Sequence, residues 1–285
     1  MPQFASLSEM LNLATGGSVQ QHLYVGHKQA TIAGATYAQT YGGWLDAWTI
    51  DGRTPPGTTP GTVAAPTSAT QGAIEYTNAT SGYTKYLIEF NAFIESDAHG
   101  QMVLYDRLLH IGGLSSTVTT AQTVGGSITR NTGGVGNEIW LVNYGTGGAT
   151  PQTITASYTN QAGTSGRTTL PIRWRASQAS TGADLFTVGL PLQAGDSGVQ
   201  SVQSVTLSGS TGTAGNFGVV IARPLAIAQG SLYYVSGGRG QTSLIQNVHR
   251  PIALADDMCL SVAVSTVDSG EDDITFSLYT LEKAN

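Results

Sequence analysis

Charge is what this chain has least of. Only 11% of its 285 residues are Asp, Glu, Lys or Arg, against about 25% in an ordinary domain. Lysine is confined to Lys28, Lys85 and Lys283, and the formal net charge is −6. The densest basic run is Arg173-Trp174-Arg175, with Arg167 nearby. That is too little to displace counterions along a phosphate backbone, so direct nucleic-acid binding is not expected. Cys259 is the single cysteine, which excludes an intrachain disulfide framework and a Cys-based zinc site. Its neighbours Met258 and Leu260 mark it as a buried, inert thiol. No apolar run approaches the ~18 residues of a membrane-spanning helix. The opening Met1-Pro2-Gln3-Phe4-Ala5-Ser6 has neither the basic nor the apolar region of a secretory signal, so synthesis in a cytoplasm is predicted.

Helical periodicity is also scarce. Its one clear instance is Ser6-Leu7-Ser8-Glu9-Met10-Leu11-Asn12-Leu13, where Ser6 and Glu9 have the spacing of a capping box and Gly16-Gly17 provides a stop. Elsewhere the apolar residues recur with period two. In 83–95, Thr84, Tyr86, Ile88, Phe90, Ala92 and Ile94 form one nearly apolar set, while Tyr83, Lys85, Leu87, Glu89, Asn91, Phe93 and Glu95 form the other. This predicts a strand with the first set toward a core. Similar runs follow at 101–110, 138–144, 152–159, 168–175, 184–190, 201–208, 216–223, 231–235, 242–248, 258–266 and 273–281, mostly separated by Gly, Ser, Asn or Asp. About twelve short strands at such spacing predict an all-β fold, a jelly-roll-like β-sandwich with an N-terminal extension that contains the short helix.

Residues 51–72 break the pattern with four prolines and no periodicity. The chain therefore divides into an extension or arm over 1–72 and a β-sandwich domain over 73–285. Phe4, Leu7, Met10, Leu11, Trp44 and Trp48 are the candidate partner-binding residues of the extension.

Motifs with catalytic associations are weak. Gly195-Asp196-Ser197-Gly198 matches the tetrapeptide around a serine-protease nucleophile, but Val199-Gln200 follow it and the composition is that of a β-turn. Asp268, Glu271, Asp272 and Asp273, with Asp256-Asp257, lack the spacing of a calcium loop and read as a solvated hairpin tip. Glu75, Glu89, Glu95, Asp97 and Asp106 are raw material for paired-carboxylate hydrolysis, with nothing in the sequence to pair them. Tyr86, Tyr105, Trp140, Tyr158, Trp174, Phe186, Phe217, Tyr233 and Tyr234 occupy strand positions and are expected in the core or on sheet faces. No cofactor, metal or enzymatic activity is expected.

Three segments carry a resemblance. Leu104-Tyr105-Asp106-Arg107-Leu108-Leu109-His110-Ile111-Gly112-Gly113-Leu114 with its Ser/Thr continuation to Thr123, Thr155-Ala156-Ser157-Tyr158-Thr159-Asn160-Gln161-Ala162-Gly163, and Gly209-Ser210-Thr211-Gly212-Thr213-Ala214-Gly215-Asn216-Phe217-Gly218 together resemble virion structural proteins of tailed bacteriophages, of the head decoration or cement kind. The resemblance covers 100–285. It implies a non-enzymatic virion component, made in the host cytoplasm and seated on the capsid surface. Its implied partners are the major capsid protein and copies of itself, as a trimer or other homo-oligomer. Two other readings stay open: a receptor- or glycan-binding module of a tail or head fibre, and a hydrolase acting on surface polysaccharide. The scarcity of charge agrees with assembly, because neutral Ser, Thr, Asn and Gln surface costs far less to desolvate than ions do.

Overall fold

A computed structural model describes residues 21–31, 44–46, 63–70, 72–94, 100–145, 147–176, 185–230, 244–266 and 271–285. These form sixteen strands and, among the described residues, no helix. In chain order they are β1 (Gln21–Thr31), β2 (Trp44–Asp46), β3 (Val63–Ala64), β4 (Tyr83–Ile94), β5 (Gly100–Leu114), β6 (Gln122–Thr123), β7 (Glu138–Gly145), β8 (Gln152–Asn160), β9 (Arg167–Thr168), β10 (Ile172–Trp174), β11 (Leu185–Leu190), β12 (Val199–Leu207), β13 (Asn216–Gly230), β14 (Leu244–Leu254), β15 (Leu260–Thr266) and β16 (Glu271–Ala284). The fold is all-β and sandwich-like, as expected. The helix expected over 6–13, most of the loop 51–72, and the strand expected at 231–235 lie outside the described residues.

Three antiparallel sheets share the strands. A four-stranded sheet runs β1-β16-β4-β14, and a second runs β10-β8-β12-β6 with β9 also on β8. The third, β13-β7-β11-β2-β15-β5-β3, has an additional pairing between β13 and β5. That pairing joins β5, β13, β7, β11, β2 and β15 into a closed ring, a six-stranded barrel. Closure removes sheet edges and their unpaired backbone groups. The extension assigned to 1–72 contributes strands to two of the sheets: β1 pairs with β16, β2 stands between β11 and β15, and β3 pairs with β5.

Strand alternation sorts the barrel residues into an inner and an outer set. The outer set packs against the two smaller sheets. Met102, Leu104, Leu260, Val262 and Val264 meet Leu87, Phe90, Phe276 and Leu278 of the four-stranded sheet. Leu109, Ile111, Ile139, Leu141, Val219 and Ile221 meet Ile154, Tyr158, Trp174, Val202 and Val205 of the five-stranded one. The inner set is Val103, Tyr105, Trp140, Val142, Val220, Ala222 and Ala263. Even an eight-stranded barrel interior is only wide enough for side chains, so the small Ala222 and Ala263 make room for the Tyr105 and Trp140 rings, whose centroids are 4.8 Å apart.

One expectation is corrected in β4. Lys85 and Leu87, placed on the solvent-facing set by alternation, are buried at 1% and 0% exposure. The ladder with β16 shifts register between Tyr279 and Thr280, pairing them with Glu89 and Leu87 and leaving Ile88 as the extra residue. A bulge of this kind inverts the alternation beyond it. Phe90 and Ala92 therefore share the core with Leu87.

Candidate functional site

The described charged side chains are concentrated in places that anchor chain segments. Asp106 lies on the outer face of β5 and is fully buried. Arg130, from the connection between β6 and β7, grips its carboxylate at both oxygens, Nε to Oδ2 at 3.1 Å and Nη2 to Oδ1 at 2.8 Å. The same Nη2 donates to the carbonyls of Pro66 (2.9 Å) and Arg107 (3.1 Å), and the Cys259 amide donates to Asp106 Oδ1 at 2.9 Å. Four stretches far apart in the chain are thus pinned at one carboxylate. Burial alone would lower the Arg130 pKa; the hydrogen bonds and charge of Asp106 outweigh it and hold the guanidinium more firmly protonated.

A second constellation lies in the barrel. Arg107 pairs with Ala222 and His110 with Val220 across β5–β13, which sets both on the inner face. Both are fully buried. Arg107 Nη1 meets His110 Nδ1 at 3.0 Å, and Nη2 donates to Tyr105 Oη at 3.1 Å. A guanidinium only donates, so His110 Nδ1 accepts and the ring is the neutral Nε2–H tautomer. Burial, and secondarily the Arg107 charge, depress the His110 pKa from 6.5 to about 2. This imidazole is fixed as a neutral acceptor and does not serve as a proton relay near neutrality.

Lys85 forms the third. Its Nζ donates to the carbonyl of Thr77, to Thr77 Oγ1 and Tyr24 Oη at 3.0 Å, and to the Asn78 carbonyl at 3.3 Å. It also pairs with Glu282 at 3.3 Å, and both side chains are 1% exposed. Glu282 Oε2 accepts from the Thr80 amide at 3.1 Å. Although burial raises the Glu282 pKa, the Thr80 and Lys85 bonds more than compensate and keep it below the ordinary range. The cluster ties β1, β4, β16 and the 77–80 segment together.

The Gly-Asp-Ser-Gly tetrapeptide is a turn, as its composition suggested. Asp196 is engaged with Arg167 (Nε at 2.9 Å, Nη2 at 3.1 Å), Tyr158 Oη (2.5 Å) and Asn160 Nδ2 (2.8 Å), none of them a histidine. Arg167 first, then Tyr158, hold its pKa down at about 2. Among the described residues, the other carboxylates raised for hydrolysis are engaged separately or stand apart. Asp106 is locked to Arg130, Glu89 accepts from Asn91 Nδ2 at 2.7 Å, Glu75 is exposed, and Glu95 and Asp97 lie outside the described residues. Glu271, Asp272 and Asp273, expected in a hairpin tip, stand in the β1–β16 ladder opposite Thr31, Ala30 and Gln29. No group of three or more metal-ligating side chains occurs among the described residues.

Of the candidate partner-binding residues, Phe4, Leu7, Met10, Leu11 and Trp48 lie outside the described residues. The Trp44 backbone is described in β2, opposite Thr187. Exposed apolar side chains occur elsewhere. Leu23 and Val25 on β1 are 65% and 68% exposed, and Val135 and Leu170 stand out from loops. Sequence reasoning missed Leu23 and Val25; the available signal was the alternation of Leu23 and Val25 with His22, Tyr24 and Gly26.

No protein-family model matches the chain, and no curated protein does. Solved structures align over nearly its whole length with little geometric agreement. The structure of infectious bursal disease virus Gt strain is 9% identical, covering 93% of this chain and 81% of that one, with a TM-score of 0.20. The infectious bursal disease virus VP2 subviral particle is 10% identical, with coverages of 93% and 81% and a TM-score of 0.19. The Gx strain structure reaches 0.22 at 10% identity, over 94% and 80%. Likeness at this level carries no argument about fold or function.

Proposed function

We propose that this chain is a non-enzymatic structural subunit of a virion, a capsid decoration or cement protein that binds the major capsid protein and copies of itself. The observation that carries the reading is where the charge resides. In a chain with so few ionic groups, Lys85, Asp106, Arg107, Arg130 and Glu282 are all buried. They act as internal fasteners and withdraw five of the chain's 30 ionic side chains (12 basic and 18 acidic), which leaves a surface poor in charge. Such a surface is cheap to desolvate against a neighbour, and a lattice of many weak contacts turns it into firm attachment. The three resembling segments supply the virion assignment and the capsid partner.

The test is co-sedimentation of the full chain with capsids, alongside its mass by light scattering at low and high salt. Binding to capsids that persists in high salt supports the reading, because neutral contacts escape ionic screening. A chain that ignores capsids but binds or cleaves cell-surface polysaccharide overturns it in favour of a fibre or hydrolase role. The aromatic side chains Tyr86, Tyr105, Trp140, Tyr158, Trp174 and Phe217 are all buried and form no stacking platform for sugars.

A further inference from the structure

We infer that Arg223 is a standby partner for Asp106. When the β6–β7 connection that carries Arg130 lifts away, Arg223 turns in and holds the carboxylate. The connection and the Pro66 segment are thereby displaced while the barrel stays folded. This device works within one chain and is independent of the assembly reading above.

Arg223 and Asp106 face each other across the β5–β13 ladder, in a stretch of three consecutive pairs between two register shifts. Facing residues of an antiparallel pair project from the same side of the sheet, here the outer side of the barrel. On β5, Leu104 belongs to the core shared with the four-stranded sheet, and Leu108 and Leu109 to the core shared with the five-stranded one. On β13, Leu225 and Ile221 divide in the same way. Asp106 and Arg223 therefore stand together at the seam between the two cores, Asp106 fully buried and Arg223 half-buried.

Arg130 already occupies the carboxylate. Oδ1 accepts from Arg130 Nη2 and the Cys259 amide, and Oδ2 accepts from Arg130 Nε. Arg223 acts on Asp106 through charge: burial pushes the Arg223 pKa down, and the Asp106 carboxylate pushes it back up. A carboxylate has about four acceptor positions, so one on Oδ2 remains for a further donor. With Arg130 in place little is gained by filling it, because the charge is neutralised and drawing a second guanidinium out of water costs desolvation. With Arg130 gone the balance reverses, since a buried carboxylate without a cation is the costlier state. Arg130 is the member placed to leave. It sits in a connection between strands, and its Nη2 also ties down the Pro66 carbonyl. Asp106 and Arg223 are held in register on two barrel strands.

The test uses the full chain with Arg223→Gln, Arg130→Met and both together. Native-state hydrogen exchange gives the sign. Opening of the connection should release the Gly134 and Asn137 amides, which are bonded within it, before those of Val220 and Ala222 on β13. Arg223→Gln should slow that release about tenfold, because it removes the cation on which the open form relies. Replacing a residue that merely packs in the seam would speed exchange or leave it unchanged. This measurement needs only Arg223→Gln and stands even if Arg130→Met does not fold. Guanidinium denaturation supplies a second readout. Arg223→Gln alone should have little effect, and in the Arg130→Met background it should lower the folding constant about tenfold further. A crystal structure of Arg130→Met should show an Arg223 nitrogen within about 3.2 Å of an Asp106 oxygen. Arg223 limits the loss from Arg130→Met without abolishing it, because the Pro66 and Arg107 carbonyls still lose their donor. Losses that simply add, or an Arg223 that stays unbonded to Asp106 in the variant, overturn the standby role. Exchange of the connection only together with β13, or exchange that Arg223→Gln does not slow, overturns it as well.

Discussion

Replacing Arg130 by Met should be among the most damaging single changes in the protein. The substitution removes two donors from the Asp106 carboxylate and one each from the Pro66 and Arg107 carbonyls, leaving the buried carboxylate with the Cys259 amide. Orphaning one member of a buried ion pair costs about 3–5 kcal/mol. Unfolding entropy of about 2.1 cal/mol/K per residue amounts to roughly 0.6 kcal/mol/K over this chain, so a loss of about 4 kcal/mol lowers Tm by about 7 °C. Asp106→Asn is milder, because Arg130 keeps its two carbonyls and the Asn oxygen still accepts from Cys259. The double variant buries no orphaned charge. Its destabilisation should fall short of the sum of the singles by about 2 kcal/mol, the coupling expected of contacting groups. Guanidinium denaturation of all four proteins, followed by circular dichroism, measures the cycle. A coupling near zero, together with an Arg130→Met cost below about 1 kcal/mol, would refute the claim that this pair pins the segments.

Two further predictions concern pH and one concerns packing. His110 binds a proton readily when unfolded (pKa 6.5) and only near pH 2 when folded, so it is neutral in both states and without effect on stability above 6.5, and opposes folding increasingly below. This one group should impose a slope of about 1.4 kcal/mol per pH unit, and denaturation midpoints of His110→Gln should fall less steeply on acidification. Asp196, with its pKa lowered from 3.8 to about 2, stabilises the fold above pH 3.8 and loses that contribution as pH falls through 2. Thermal melts of Asp196→Asn should show lower stability near neutrality and a smaller further drop in that acid window. Gly198→Ala would put a methyl carbon 1.9 Å from the Gly134 carbonyl oxygen and 2.8 Å from the Gly136 nitrogen. Displacing that backbone should cost about 1–3 kcal/mol, read by the same denaturation assay; an unchanged midpoint would show that the loop yields freely.

The strands with period-two alternation were legible because burial on one face is written every second residue. Runs at 83–95, 138–144, 152–159 and 216–223 all correspond to observed strands. Sequence reasoning stopped β13 at Arg223, before Pro224, yet the strand continues to Gly230 and accommodates the proline with a register shift between Pro224 and Ala226. β1 was hidden because its most apolar alternate residues, Leu23 and Val25, face solvent rather than a core. Barrel closure was out of reach. It depends on β5 being flanked by β13 and β15, whose positions more than a hundred residues downstream no local pattern encodes. The polar cores did leave a trace: Asp106, Arg107 and His110 interrupt an apolar run from Met102 to Ile111, and ionic residues within such a run require buried partners. The trace did not name those partners, since Arg130 is 24 residues away from Asp106.

The same placement of charge bears on whether copies can approach one another. Lys85, Arg107 and Arg130 are buried with Asp106 and Glu282, three cations against two carboxylates. Removing them from a net charge of −6 leaves −7 on the rest of the chain. Two copies therefore repel weakly at long range, and beyond a Debye length of about 8 Å at physiological ionic strength that repulsion is largely screened. Added salt should accordingly leave self-association unchanged or strengthen it slightly, in the direction opposite to an interface held by ion pairs. Sedimentation at increasing salt reads that sign directly, and dissociation on adding salt would mean that opposite charges, rather than neutral surface, join the copies.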